Sequence, residues 1–133
     1  MFDVDAAQRI IDDSQFAPLW GFRVASVSEG EAELILPARE GLLRPGGVLQ
    51  GGCAMALADV AVWIAVLSYY GADDQAMTQN MMTSFLRPAR GDLACAARVL
   101  QPGRRVVYAT ATTCDPDGKM VAHHTVTYMR PSS

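Results

Sequence analysis

The stretch from Arg44 to Gly71 constrains the fold more than any other part of this chain. Two Gly-Gly pairs open it and Gly71 closes it, which is the pattern of a helix preceded by a flexible loop and ended by glycine. Between Cys53 and Leu67 the only charged residue is Asp59. A segment that is apolar on all sides is typical of a buried helix. Because burying an unpaired carboxylate is costly, Asp59 is the first candidate for a functional role.

The composition of the chain favours one compact domain over residues 1–133. Hydrophobic residues make up 50% and charged residues 19%, which is enough apolar material for a real core. The net charge is −3 and the pI is about 5.2, so neither nucleic acid nor an anionic membrane is expected as a partner. The apolar run Cys53–Leu67 is shorter than the roughly 17–25 residues of a bilayer span. We therefore expect no membrane partner.

Cysteine usage and the N-terminal residues predict a cytoplasmic protein. Cys53, Cys95 and Cys114 are widely spaced and odd in number, as expected for buried free thiols in a reducing compartment. No secretory signal is visible, because Met1–Gln15 carries four aspartates and no long apolar run.

The two histidines do not predict a metal site. His123 and His124 are adjacent, so on a strand they face opposite sides and cannot bind the same ion. No cluster of Cys, Asp or Glu lies near them in the sequence. We expect structural or surface roles for both, and no metal.

The residues around the central helix alternate as strands do. Six strands are predicted, at Phe22–Ser28, Glu31–Leu36, Ala76–Leu86, Leu93–Leu100, Arg104–Cys114 and Met120–Arg130. A short helix is expected over Asp5–Asp13, an apolar connector over Phe16–Trp20 and a loop over Ala38–Val48. Because hairpins follow one another without intervening helices, we expect an α+β fold with a mostly antiparallel sheet.

Six short motifs follow one another along the predicted helix and strands: Gln50-Gly51-Gly52, Ala58-Asp59, Thr78, Phe85–Asp92, Pro102-Gly103-Arg104 and Asp117–Ala122. In this order and spacing, from about residue 20 to residue 129, the chain resembles the hot-dog fold. More closely, it resembles the phenylacetate-degradation (PaaI-like) acyl-CoA thioesterases of the 4-hydroxybenzoyl-CoA thioesterase superfamily. The resemblance implies a six-stranded antiparallel sheet wrapped around one long central helix. It also implies hydrolysis of an acyl- or aryl-acyl-CoA thioester without a cofactor, CoA being part of the substrate.

The resemblance assigns catalytic roles to residues of the helix and the following strand. Asp59 matches the family's carboxylate, which acts as general base on water or as nucleophile on the thioester carbonyl. A backbone amide of Gly51 or Gly52 polarises that carbonyl, and any helix N-terminus offers unpaired N–H groups suited to a developing oxyanion. Thr78 matches a hydroxyl that positions the attacking water, although a β-branched residue in a strand needs no such role.

Two residues depart from the family pattern. Gln50 stands where the family usually has His, and it can either donate a hydrogen bond to the thioester oxygen or hold the loop. Arg44 stands where the family often has Asn, which brings a cation into the site and is compatible with an altered substrate.

Further candidates for substrate contact are spread over the later strands. Arginines at strand ends offer a fork of donors suited to a CoA phosphate; they are Arg87, Arg90, Arg104 and Arg105. Met77 and Asn80, on the strand after the helix, are also candidates. Met77, Met81, Met82 and Phe85 fit either the core or the lining of an acyl pocket.

Helix spacing predicts that the site is shared between chains. Gly52 and Asp59 are nearly two turns apart, so they share a face but are separated by roughly 10 Å. That gap is too wide for both to contact one thioester carbon. If both act, the amide of one chain works with Asp59 of another across a two-fold interface. The resemblance likewise implies a homodimer at least, and a homotetramer as the expected assembly.

Other functions remain open at this point. A hot-dog hydratase would need His at position 64, which is Ile64, and the dehydratase type would need a Glu that the helix lacks. A non-catalytic acyl-CoA-binding module is the main alternative, because Gln50 and Arg44 replace family residues. A structural dimer that binds no ligand is the last alternative.

Overall fold

The structure is a computed structural model that describes residues 1–131. Within this range there are three α-helices: α1 (Val4–Asp12), α2 (Ala17–Trp20) and α3 (Gly51–Tyr70). The same residues form eight strands, with α3 between the fourth and the fifth: β1 (Arg23–Ser28), β2 (Glu31–Leu36), β3 (Leu43–Arg44), β4 (Val48–Leu49), β5 (Met77–Phe85), β6 (Leu93–Pro102), β7 (Val106–Cys114) and β8 (Met120–Met129).

Six of these strands form one antiparallel sheet in the order β1-β2-β6-β7-β8-β5. Helix α3 packs against the inner face of this sheet, along β2, β6 and β7. The inward positions of β8 are buried and alternate with half-buried outward ones, as a two-faced strand requires. The predicted α+β architecture, a six-stranded antiparallel sheet around one long helix, is confirmed.

Helix α3 is held in place by its apolar side chains. Its buried residues belong to the main core, together with residues of the inner sheet face. By length and composition α3 could cross a bilayer, but 56% of that apolar window is buried inside the protein, as in a core helix. Gly71, with φ 117, ends the helix at the predicted position.

Two segments predicted as irregular have secondary structure. Ala17–Trp20 forms a helical turn. Pro18 lies in its first turn, where helices tolerate proline because the missing N–H would have no partner in the helix. The predicted loop over Ala38–Val48 contains a 3₁₀ turn at Glu40–Leu42 and the small β3–β4 hairpin. Both predictions were wrong in detail because such short elements are fixed by tertiary contacts rather than by periodicity.

The two edges of the main sheet differ in their cover. At the β1 edge, the Gln8 side chain of α1 accepts a hydrogen bond from the Val24 N–H at 2.7 Å and donates one to the Phe22 carbonyl at 3.0 Å. At the β5 edge, no side chain or backbone group of residues 1–131 forms hydrogen bonds with the outer backbone groups of the strand. The methionines Met77 and Met82 on β5 are 71% and 68% exposed, so they are not core residues of the single chain.

The three cysteines are free. Cys53 and Cys95 are buried, whereas Cys114 is half-buried at the end of β7.

Candidate active site

Asp59 is held by two hydroxyl groups from the strands that face α3. Thr78 Oγ1 on β5 donates to Asp59 Oδ1 at 2.6 Å. The Tyr128 hydroxyl on β8 lies 2.9 Å from the same Oδ1 and 2.9 Å from the main-chain oxygen of Asp59. Asp59 is half-buried, and the charge that the sequence left unexplained is met by these hydrogen-bond donors.

A bulge in β5 brings Thr78 into this cluster. Inward positions of β5 are Met81 and Thr83, which pair with Val126 and His124 of β8. Simple alternation would turn Thr78 outward, but the register shifts between Thr78 and Asn80, so that Thr78 pairs with the inward-facing Tyr128. The extra residue thus reverses the face that Thr78 presents.

Tyr128 is a site residue that the sequence analysis did not select. It is only 3% exposed, and burial together with the nearby charge of Asp59 raises the pKa of its hydroxyl far above the usual value. The hydroxyl is therefore protonated near neutral pH and acts as a donor. The alternation of β8 places Tyr128 on the inner face, but nothing in that pattern indicates that it meets Asp59.

Asp59, Thr78 and Tyr128 open onto a cavity of about 270 Å³. Its remaining lining is mostly apolar: Phe16, Val60, Trp63, Ala76 and Met77. Of the predicted substrate contacts on β5, Met77 lines this cavity. Asn80 pairs with the outward-facing Thr127 and does not line it.

The two glycine amides at the N-terminus of α3 differ in their hydrogen bonding. Gln50 caps the helix, and its Oε1 accepts a hydrogen bond from the Gly52 N–H at 2.7 Å. Gln50 therefore holds the turn, which was one of its two predicted roles, and its side-chain NH₂ remains as a donor. Within residues 1–131 the Gly51 N–H has no hydrogen-bond partner. Of the two predicted amides, Gly51 is the one left to bind an oxyanion.

Gly51 opens onto a second cavity, of about 230 Å³. Gln50, Arg44, Phe85 and Arg87 are among the residues that line it. None of the residues around this cavity also lines the Asp59 cavity. A single chain thus holds the free amide and the carboxylate in separate cavities.

Two of the predicted arginines line the Gly51 cavity and the others do not. Arg44 and Arg87 line the Gly51 cavity, and neither forms a salt bridge within the described residues. Arg90 instead donates to the carbonyls of the glycine turn, at 3.1 Å to Gly46. Arg104 lines neither cavity.

The adjacent histidines face opposite sides of β8, as predicted. His123 lies 3.0 Å from Thr110 Oγ1. His124 is fully buried, with Nδ1 2.8 Å from Thr83 Oγ1 and Nε2 2.8 Å from Thr113 Oγ1. Burial lowers the pKa of His124 to about 4, so the ring is neutral near pH 7. Among residues 1–131, His, Cys, Asp and Glu side chains form no group of three that could hold a metal ion.

Comparison with known proteins shows the family. A sequence model described as the thioesterase superfamily matches residues 46–122, more than half of the chain. The chain belongs to the thioesterase superfamily.

Individual proteins are similar to this chain over most of their length. A candidate esterase of Halobacterium salinarum is 36% identical, covering 86% of this chain and 82% of its own. A conserved protein of Pseudomonas aeruginosa is 34% identical, with a TM-score of 0.85 over 92% of this chain and 98% of its own. The superfamily match and the esterase relatives show that this chain is a thioester hydrolase.

One further structure confirms the hot-dog fold. The PaaI protein of E. coli, from the phenylacetic acid degradation operon, has a TM-score of 0.86, covers 96% of this chain and 91% of its own, and is 22% identical. At that identity the two proteins share the fold.

Proposed function

We propose that this thioester hydrolase cleaves acyl- or aryl-acyl-CoA to the free acid and CoA, at a site completed by a second copy of the chain. The observation that carries the proposal is the division of the catalytic groups. The free amide of Gly51 and the carboxylate of Asp59 line separate cavities of one chain. Neither cavity by itself holds both an oxyanion donor and a carboxylate.

The uncovered edge of the sheet supports a two-fold partner. Strand β5 begins at Met77 and Thr78 beside the Asp59 cavity, and ends at Phe85 beside the Gly51 cavity. Antiparallel pairing of β5 with a second β5 would set the beginning of each strand against the end of the other. Each Asp59 cavity would then lie next to the partner's Gly51 cavity. Such pairing would also cover an edge that otherwise exposes unpaired backbone groups and apolar side chains.

In this arrangement the Gly51 N–H donates to the thioester carbonyl oxygen as negative charge develops on it. Asp59 then acts in one of two ways. As a base it takes a proton from water, whose oxygen adds to the carbonyl carbon. As a nucleophile it forms a mixed anhydride that water opens. In both routes the C–S bond breaks, and the sulfur leaves and takes up a proton to become the CoA thiol.

Arg44 and Arg87 suit the anionic part of this substrate. Their guanidinium groups flank the cavity that holds Gly51, and no carboxylate lines that cavity. The fork of donors on each guanidinium matches a phosphate or a carboxylate. We propose that they bind the CoA phosphates. Arg90, whose guanidinium already binds backbone carbonyls, has fewer donors to offer.

A pair of variants at one position tests the amide. Gly51→Pro removes the N–H at the first helical residue, where proline is tolerated, and Gln50 already has the extended backbone that precedes proline (φ −62°, ψ 141°). Gly51→Ala keeps the N–H, and its Cβ would meet the Phe85 ring at an ordinary 3.4 Å. We expect Gly51→Pro to lower kcat by about 100- to 1,000-fold on acyl-CoA, and Gly51→Ala to stay within a few-fold of wild type. Equal rates in the two variants would contradict the oxyanion role.

Mixing two inactive variants tests the shared site. Gly51→Pro and Asp59→Asn chains, unfolded and refolded together in equal amounts, form mixed dimers in about half of all pairings, and each mixed dimer has one intact site of two. About a quarter of the wild-type rate should return. If mixed dimers form but remain inactive, the two groups act within one chain.

A further inference from the structure

The hydrogen bonds to Asp59 all fall on one side of its carboxylate. Both side-chain donors, Thr78 Oγ1 at 2.6 Å and the Tyr128 hydroxyl at 2.9 Å, meet Oδ1. Within residues 1–131 no donor reaches Oδ2. The two oxygens of this carboxylate are therefore not equivalent.

The two donors also differ from each other. Thr78 is exposed to the cavity, so water can compete for its hydroxyl. Tyr128 is 3% exposed, and its hydroxyl oxygen lies 2.9 Å from Oδ1 and 2.9 Å from the main-chain oxygen of Asp59. Tyr128 thus ties the side chain of Asp59 to the backbone of α3 from a nearly fully buried position.

We propose that Tyr128 is a positioning residue, whose hydroxyl fixes the Asp59 carboxylate so that Oδ2 is the oxygen that reacts. This inference rests on the proposed function of Asp59. A carboxylate rotates easily about its terminal torsion, which has broad, two-fold preferences. With Oδ1 held by Tyr128, that rotation stops, and Oδ2 points a lone pair at the water or the carbonyl carbon. Holding a reacting atom in its productive orientation accounts for a large part of enzymatic rate enhancement.

The protonation of Tyr128 suits this role. Burial and the adjacent carboxylate both raise the pKa of the hydroxyl, so it does not ionise near neutral pH. It neither takes nor supplies the reaction proton, and it remains a donor throughout the cycle.

Tyr128→Phe removes only the hydroxyl and tests the inference directly. We expect kcat to fall by about 10- to 30-fold with KM within two-fold, because the binding contacts are kept. The acid limb of the kcat/KM profile should move toward neutral pH, because loss of a donor favours the protonated carboxyl. The matched control is Tyr70→Phe, which removes a half-buried hydroxyl that donates to the Gly103 carbonyl. That variant should keep both the rate and the pH profile.

The result that overturns the inference is a Tyr128→Phe enzyme with wild-type kcat and an unmoved acid limb, while Asp59→Asn is inactive. An active Asp59→Asn enzyme would instead overturn the proposed function. If Tyr128→Phe does not fold, 3-fluorotyrosine at position 128 keeps the ring and strengthens the donor. It should move the acid limb to lower pH, and an unmoved limb overturns the inference.

Discussion

Two polar clusters on the inner face of the sheet both draw on β5 and β8 and do different things. In the first, the Asp59 cluster, Thr78 of β5 and Tyr128 of β8 hold a carboxylate of α3. In the second, the His124 cluster, Thr83 of β5 and Thr113 of β7 hold the imidazole of β8. Both face inward, and both use threonine hydroxyls at 2.6–2.8 Å.

The difference lies in what each cluster leaves unsatisfied. His124 has a partner on each ring nitrogen and is fully buried, so it has no group left for chemistry. Asp59 keeps one carboxylate oxygen without a donor among residues 1–131, and that residue lines a cavity. A saturated polar cluster contributes stability, whereas an unsaturated one beside a cavity is available to react.

The largest effect should come from Asp59→Asn. The substitution keeps the size of the side chain but removes the charge, so the residue can neither take a proton nor attack a carbonyl. We expect kcat to fall by about 100- to 10,000-fold, measured as thiol release from a panel of acyl-CoA substrates. The control is His124→Gln, which should keep kcat within a few-fold. A comparable loss of activity in both variants would erase the distinction between the clusters.

His124→Leu should have the largest effect on stability. It leaves the buried hydroxyl of Thr113 and the half-buried hydroxyl of Thr83 without their partner, and a buried unsatisfied group costs about 1–3 kcal/mol. We expect the free energy of unfolding in urea to fall by about 2–4 kcal/mol. His123→Leu, on the half-buried outer face, should cost less. Equal losses would mean that the inner cluster has no special role in stability.

The same histidine should make stability depend on pH. Its pKa is about 4 in the folded protein, below the ordinary 6.5, so the unfolded chain takes up a proton first as pH falls. The contribution is complete above about pH 6.5 and is lost between there and pH 4. By pH 5 the loss of stability amounts to about 2 kcal/mol. Unfolding curves of wild type and His124→Gln, recorded from pH 7.5 to 4.5, should converge on acidification; parallel curves would show that His124 titrates alike in both states.

An isosteric pair on β5 gives the smallest and sharpest comparison. Thr78→Val and Thr83→Val each remove one hydroxyl from the same strand. Thr78→Val should lower kcat by about tenfold with little change in stability. Thr83→Val should lower the free energy of unfolding by about 1 kcal/mol with kcat unchanged. If Thr83→Val instead lowers kcat and Thr78→Val lowers the free energy of unfolding, the assignment of Thr78 to catalysis and of Thr83 to stability is wrong.

Much of the architecture was predictable because it depends on local patterns. Period-two alternation located the six long strands, and the apolar run between glycines located α3. The 3.6-residue period of that helix also predicted that Gly52 and Asp59 lie too far apart for one site. Alternation along β8 placed His124 and Tyr128 on the same inner face. The PaaI-like subtype, the cytoplasmic location and the homotetramer stay predictions.

The sequence by itself therefore determined the elements, their faces and the isolation of one carboxylate in an apolar helix, since these follow from spacing along a regular backbone. Only the tertiary structure decided which groups meet that carboxylate. The β5 bulge turns Thr78 inward, and Tyr128 reaches Asp59 from 69 residues away. The choice of Gly51 over Gly52 likewise depended on where the Gln50 side chain folds back. Such contacts are set by register and side-chain conformation, which no periodic pattern records.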